Sequence, residues 1–574
     1  MRRSSAPASG AERRPAATAP PGAGVRLRDL DALVGRVLAR VDVRALDLAL
    51  AVSLTALAAV IRIWHLGTVP LGLHGDEALT GIDAGRVLHE GWIGPYVISA
   101  LGQPTGPLYF TALLFKFLPQ DTFTIRLSMA LFGVATIPLA YAAFALMFNR
   151  TVGAFAALFL AVMTWHLHLS RTGFMVTAWP FVEMLVLVAL FAALRSRSVV
   201  LLALAGALLG VGVYTYNAYL LFVPVAFVPL AWAFARARGD ERVRVAGGAV
   251  VFAAAALLVA LPMAQYVLDH GETYRFHQKV IAVTSCAKEG VDPACQKWAD
   301  SGLWGRAKIL VDRAGEWERA LVRGDRIDLG DGLASGGRPV VDPITFLLAL
   351  VGLGVALWNW RRSEYAIVLA ALIVLPFGAL LTVGDGLFRR TLGLAPFVAL
   401  LAALPIAWAW QRAVVQGEGA RRWIAAAAVA AIMLYVGVTD VRQYFDAMQH
   451  DPDVMSVYPF EDDAASKYIA TLPPGTLVYF YSYRWSFDYE TRRFLAPHAA
   501  GIDRSREFGG IPEGEEVPLG ADRARASAFV FLEPYMDLLD EVVRRYPGGT
   551  ITEGRRGGAL TFRAYYLPPE TPGS

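Results

Sequence analysis

Residues 72–85, GLHGDEALTGIDAG, place Asp76, Glu77 and Asp83 immediately after a mostly apolar run long enough to cross a bilayer. On a helix beginning near Gly75, Asp76, Thr80 and Asp83 are spaced i, i+4, i+7 and share one face. Glu77 is turned about 100° away from them. Beside apolar surface an unpaired carboxylate is costly, so these groups need partners or water. Burial strengthens such a group as a base and a neighbouring guanidinium weakens it. The chemistry offered is proton abstraction, or binding of a cation.

Polar groups elsewhere fall at corresponding ends of other apolar runs. Arg126 begins one run. His166, His168 and Arg171 end another in WHLHLSRTGF, Tyr214 and Tyr216 end a third in GVYTYNAY, and Arg389 with Arg390 opens a fourth in DGLFRRTLGLAP. Arginines held on the acidic side point to an anionic ligand such as a phosphate or diphosphate. Each feature also has a plainer reading. Asp76 and Glu77 could form a solvated turn, Arg389 and Arg390 could reach lipid headgroups, the histidines could simply pack, and the tyrosines could belong to an interfacial belt.

The elements that must carry these residues are membrane helices. Of 574 residues 56% are hydrophobic and 18% charged, and the mean hydropathy is +0.45, which defines a polytopic membrane protein. Apolar runs lie at 45–65, 127–148, 152–168, 178–194, 199–215, 219–235, 246–266, 343–359, 364–383, 391–410 and 422–439. Residues 98–118 carry Gly102, Pro104, Gly106 and Pro107 and leave too short a clean helix to span.

If that segment is interfacial, Arg150, Arg195, Arg197, the cluster Arg236 to Arg244, Arg361, Arg362, Arg412, Arg421 and Arg422 all lie on the N-terminal side. This arrangement fits the accumulation of basic residues in cytoplasmic loops. About eleven spans are therefore expected, with a re-entrant or interfacial helix at 105–118. The acidic stretch, loop 268–342 and the C-terminal region then face outside the cytoplasm. The net charge of +4 reads as topology, without a basic stripe suited to nucleic acid.

Residues 1–44 are expected to form a disordered or amphipathic cytoplasmic tail, and 45–440 the membrane domain. In the outer loop, Cys286 and Cys295 are placed to form a disulfide. Residues 441–574 alternate in β fashion, with helical stretches EDDAASKYIATL and MDLLDEVVRRY and strands GTLVYFYSY, ASAFVFLEPY and ALTFRAYYL. They are expected to form a small extracytoplasmic α/β domain without a phosphate-cradling glycine loop.

The Asp-Glu loop, GQPTGPLYF, the arginine opening RLSMALFGVATIPLAYAAFALMF, WHLHLSRTGF and GVYTYNAY together resemble the lipid-linked-sugar glycosyltransferases of the GT-C class. The protein O-mannosyltransferases and the aminoarabinose transferases of lipid A are the most similar branches. The resemblance runs from about Arg62 through the last spans, and implies a mainly α fold that takes its sugar from a polyprenyl-phosphate donor.

It further implies transfer to a hydroxyl of a lipid, glycan or protein, outside the cytoplasm and with inversion. By the same resemblance Asp76 is the base, Glu77 its assistant, and Arg126 lies close to the acids. Arg389 and Arg390 are candidates for the donor phosphate. Arg171, Asp83, His166, Tyr214 and Tyr216 are further substrate-binding candidates. Members of the wider class hold a divalent cation between carboxylates, which Asp76 and Asp83 could do; the more similar branches imply no metal and no other cofactor. The family's His-Pro-Pro is replaced here by Gln103-Pro104-Thr105-Gly106-Pro107, which leaves the acceptor open. Two other functions fit the residues: a transporter or flippase of lipid-linked glycans, and a non-catalytic envelope assembly protein.

Overall fold

The computed structural model describes residues 45–285, 293–325, 333, 337–384, 386–512, 514–556 and 558–570. The N-terminal tail and Cys286 lie outside these residues, and with them the expected disulfide. Cys295 is buried, in the short helix Pro293–Asp300.

Among the described residues, eight helices are long and apolar enough to cross a membrane. A ninth crossing is available to the pair Arg150–Val162 and Thr164–Ser170, which are bent 60° to one another. The remaining two of the eleven expected runs are also helices, Val199–Gly212 and Pro343–Trp358. At 14 and 16 residues they fall short of the roughly 20 that a perpendicular span requires. The count of eleven is therefore not reached by length and composition. The run 152–168 is broken because Met163 leaves the helical region, at φ −52° and ψ 121°.

Capping residues fix where these helices start. Asp121 accepts the Thr124 N–H at 2.9 Å, Asn149 that of Val152 at 3.0 Å, and Asp342 that of Thr345 at 2.9 Å. Small residues let helices approach closely: a Cβ on Gly206 would lie 2.1 Å from the Phe252 carbonyl oxygen, so this contact tolerates only glycine. Thr122–Met147 lies at the centre and packs against Ala45–Ile63, Arg150–Val162 and Ala178–Ser196.

Between the first span and Thr122 the chain builds the acidic helix Gly75–Glu90, then a hairpin of β1 (Tyr96–Val97) and β2 (Gln103–Pro104), then the helix Gly106–Phe115. Ten residues of helix reach only about 15 Å, half a hydrocarbon core.

The C-terminal region folds as a five-stranded sheet in the order β4-β3-β5-β7-β6, comprising β3 (Leu477–Tyr481), β4 (Ala500–Asp503), β5 (Ser527–Phe531), β6 (Thr550–Arg556) and β7 (Ala559–Leu567). β3 runs parallel to β4 and β5, whereas β7 is antiparallel to β5 and β6. Val478 and Phe480 face one core with Ile469, and Tyr479 and Tyr481 face another with Leu539 and Val542. Burial on both faces accounts for the nearly continuous apolar sequence of β3.

This region rests directly on the acidic helix. The Thr491 hydroxyl donates to the Leu73 carbonyl at 2.7 Å, and Phe494 joins Leu73, Ala78 and Ile125 in one apolar cluster.

Candidate functional site

The start of the acidic helix is held by two reciprocal bonds. The Asp76 N–H donates to His74 Nδ1 at 3.0 Å and the His74 N–H donates to Glu77 Oε2 at 3.0 Å. From this anchored turn the two adjacent carboxylates go in different directions.

Glu77 is fully buried. Arg126, also fully buried, grips it from the side with Nε on Oε1 and Nη2 on Oε2, both at 3.0 Å, and the Gly173 N–H adds a 2.6 Å bond to Oε1. The same guanidinium donates to the carbonyls of Leu66, Pro70 and Gly72 at 3.3, 2.8 and 2.6 Å. Burial opposes the Glu77 charge, but the Arg126 charge and these bonds more than reverse that effect, leaving the carboxyl below its ordinary pKa. Glu77 and Arg126 thus tie the 66–77 turn to the central helix.

Asp76 keeps 36% of its side chain exposed and accepts from Arg389 Nη1 at 2.7 Å. Burial raises its pKa, but the Arg389 charge, with help from His74 and the Arg389 hydrogen bond, lowers it further, so Asp76 is a carboxylate at neutral pH. The Arg389 guanidinium lies over the Phe174 ring, 4.4 Å from its centroid.

Asp76 and Arg389 line a cavity of about 170 Å³ with Thr80, Gln103, Tyr216, Asn217, His277 and Arg390 among its walls. It adjoins a larger cavity of about 410 Å³ that shares Tyr216, Asn217, His277, Ile281 and Arg390. The larger one is walled by Leu220, Leu221, Phe377 and Leu381, with Arg275 and Lys279 at its rim. Arg390 stands between the two, donating to Thr382 Oγ1 at 3.0 Å and the Val383 carbonyl at 3.3 Å. The Asn217 amide fixes the wall by donating to the Gly102 carbonyl at 3.0 Å, and Tyr216 stacks on Trp179 with centroids 6.3 Å apart.

The other residues singled out by sequence sit around this site in different ways. Asp83 accepts a short bond from Ser99 and one of 3.2 Å from Arg86 Nη1, which pins the β1–β2 hairpin. Asp76 and Asp83 therefore have separate partners, and no group of three or more His, Cys, Asp or Glu residues is placed to hold a metal among the described residues. Arg171 does not line either cavity. It is buried and donates to the carbonyls of Ile61, Arg62, Trp64 and Val69 at 2.8 to 3.1 Å and to Tyr444 Oη at 3.2 Å, closing the end of the first span. His166 Nδ1 meets Arg62 Nη2 at 2.8 Å in the core, and Tyr214 donates to the Val259 carbonyl at 2.8 Å. Of the sequence candidates, Asp76, Tyr216, Arg389 and Arg390 converge on the cavity.

Sequence reasoning missed His277, on the helix Gly271–Ile281 of the loop between two spans. Burial first, then Arg390 and Arg389, push its pKa down to about 4, so it is neutral at physiological pH. Its available signal was a histidine in a short amphipathic helix between two spans.

Residues 102–266 match the family model described as dolichyl-phosphate-mannose-protein mannosyltransferase. Among solved structures the chain is similar to the Archaeoglobus fulgidus oligosaccharyltransferase tethered to an acceptor peptide, with TM-score 0.51 and 15% identity over 92% of this chain and 74% of that one. It is also similar to the oligosaccharyltransferase AglB of Archaeoglobus fulgidus in complex with an inhibitory peptide and a dolichol-phosphate, with TM-score 0.51 and 14% identity over 90% and 74%. ArnT from Cupriavidus metallidurans bound to undecaprenyl phosphate matches with TM-score 0.50 and 14% identity, over 90% of this chain and 99% of that one. A search of curated proteins finds no match.

The chain is a multi-pass membrane protein with the fold of the GT-C glycosyltransferases. Over residues 102–266 it is, more narrowly, similar to the dolichyl-phosphate-mannose-protein mannosyltransferase family.

Proposed function

We propose that the chain transfers a sugar from a polyprenyl-phosphate donor to a hydroxyl acceptor at the extracytoplasmic face, with inversion and with Asp76 as the base. The observation that carries this reading is the Asp76 carboxylate held 2.7 Å from Arg389 at the mouth of a cavity that continues past Arg390 into an apolar one. A polar reaction chamber leading into an apolar slot suits a sugar joined through phosphate to a prenyl chain. The dolichol-phosphate and undecaprenyl phosphate bound by the two neighbours of similar fold support the same donor class.

In this reaction the acceptor oxygen bonds to the anomeric carbon as the bond from that carbon to the phosphate oxygen breaks. The hydroxyl proton passes to Asp76, whose negative charge also offsets the positive character at carbon. The electron pair leaves on the lipid phosphate, where the Arg389 and Arg390 guanidinium groups meet the growing charge, so a separate acid is unnecessary. Glu77 acts as a positioning residue rather than a second base, and the scheme needs no metal.

The test incubates purified protein with a panel of radiolabelled polyprenyl-phosphate sugars and membrane extract. Wild type is expected to transfer label from at least one donor. Asp76→Asn is expected to lower kcat by about 10²- to 10⁴-fold. Equal transfer by the variant overturns the base assignment, and absence of transfer from every donor overturns the enzyme reading. Protease access to loop 268–342 in oriented vesicles checks the orientation.

A further inference from the structure

A separate cavity of about 350 Å³ lies at the far ends of the helices that build the reaction cavity. Ala178–Ser196 starts just after Val176, a wall of the reaction cavity, and its 19 residues carry the chain about 28 Å away. Phe222–Arg236 likewise starts beside Leu221 and ends at the second cavity, where Asp240–Asp269 begins. All three belong to segments apolar enough to span, so the two cavities open at opposite membrane faces.

The second cavity is divided by chemistry. Leu202, Leu230 and Val245 form an apolar wall, and Arg197, Arg236 and Arg244 form the polar rim with Glu241 as the acid among them. Glu241 lies 3.9 Å from Arg197, too far for a direct hydrogen bond, and both side chains are mostly exposed, at 57% and 74%. Arg236 is held in place by the Arg361 carbonyl, which also accepts from Trp232 Nε1 at 2.7 Å. Arg197 ends its helix in the left-handed conformation, φ 55°, where glycine or asparagine is usual.

We propose that this cavity binds an anionic phospholipid, with its phosphate among Arg197, Arg236 and Arg244 and an acyl chain along Leu202, Leu230 and Val245. Basic residues gathered at one membrane face attract anionic lipid in general. What distinguishes this place is one cavity lined both by an apolar wall and by three arginines, a combination that selects an amphiphile over a free anion. The occupant is structural lipid and takes no part in sugar transfer.

The test titrates delipidated full-length protein in detergent with dioleoylphosphatidylglycerol, dioleoylphosphatidylcholine or inorganic phosphate, and reads the thermal unfolding midpoint. Saturable stabilisation by dioleoylphosphatidylglycerol alone is expected. Arg197→Gln with Arg244→Gln should raise the half-saturating lipid concentration on the order of tenfold. Arg238→Gln, on the same face but outside the cavity, should leave it unchanged. Should the double variant fail to fold, Arg197→Gln alone, at a largely exposed position, is expected to raise it severalfold. An equal response to phosphatidylcholine or to phosphate overturns the proposal. So does an unchanged midpoint concentration in the cavity variants, or an equal loss in Arg238→Gln.

Discussion

Replacing Glu77 by glutamine separates structure from chemistry in the acidic pair. Four hydrogen bonds end on this carboxylate, two from Arg126 and one each from the amides of Gly173 and His74, all between 2.6 and 3.0 Å. Glutamine keeps the shape and one acceptor oxygen, but its amide turns N–H groups toward N–H groups and leaves the buried Arg126 charge without its counter-ion. Breaking one side of a buried pair costs about 3–5 kcal/mol. The loss falls on the turn that Arg126 gathers through the Leu66, Pro70 and Gly72 carbonyls. An opening free energy lowered by about 3 kcal/mol corresponds to roughly 100-fold faster amide exchange in a locally opening segment.

Hydrogen–deuterium exchange of residues 66–80 in Glu77→Gln, compared with wild type and Asp76→Asn, therefore provides the assay. Fast exchange is expected in Glu77→Gln. Asp76→Asn, whose partner sits at the cavity mouth, should exchange like wild type while losing turnover. If Glu77→Gln exchanges like wild type and still loses turnover as severely as Asp76→Asn, Glu77 acts in the chemistry and the positioning argument fails.

Arg389→Gln removes the charge that keeps the Asp76 carboxyl low against the opposing effect of burial, so the acid limb of the kcat/KM profile should move to higher pH; an unmoved limb refutes the coupling. Arg390→Gln should raise KM for the lipid-phosphate donor by about tenfold, the worth of one charge-assisted bond, with a smaller change in kcat. His277 has a folded pKa of about 4 against 6.5, so its neutral form contributes full stability above pH 6.5, which is lost as pH falls toward 4. That gap is worth on the order of 3 kcal/mol, and His277→Gln should flatten the difference between unfolding curves at pH 7 and pH 4. A side chain added at Gly81 would meet Phe494 at 2.5 Å and Ile125 at 2.6 Å. Gly81→Val should cost about 1–3 kcal/mol and make the 445–570 region more sensitive to protease.

The membrane helices were legible because a spanning segment must be apolar along its whole length. Their ends were less so. Val199–Gly212 stops at a tight turn and Met163 breaks a run that has no proline or glycine at the break, and both outcomes depend on packing around the chain. In the C-terminal sheet the central strands β3, β5 and β7 announced themselves by apolar residues. β4 and β6 are the two edges, with one face to solvent, and sequences such as AGID and TITEGRR carry little hydrophobic signal.

The site was legible in its local half. A 100° offset between neighbouring helix positions already assigns Asp76 and Glu77 to different surroundings, and the separation of a buried tether from a half-exposed carboxylate follows from it. The distant half was not, since Asp76 meets an arginine 313 residues away and His277 arrives on a loop helix. Arginines gathered near one membrane face are alike as sequence. Arg126 and Arg171 are consumed by backbone carbonyls that reverse the chain after the first span, whereas Arg389 and Arg390 reach the cavity. A reversal at the membrane boundary leaves several carbonyls pointing inward, and a guanidinium with five donors is the side chain able to satisfy them. The rigidity this gives the Asp76 turn is what the proposed reaction asks of a single carboxylate that must meet both acceptor and donor.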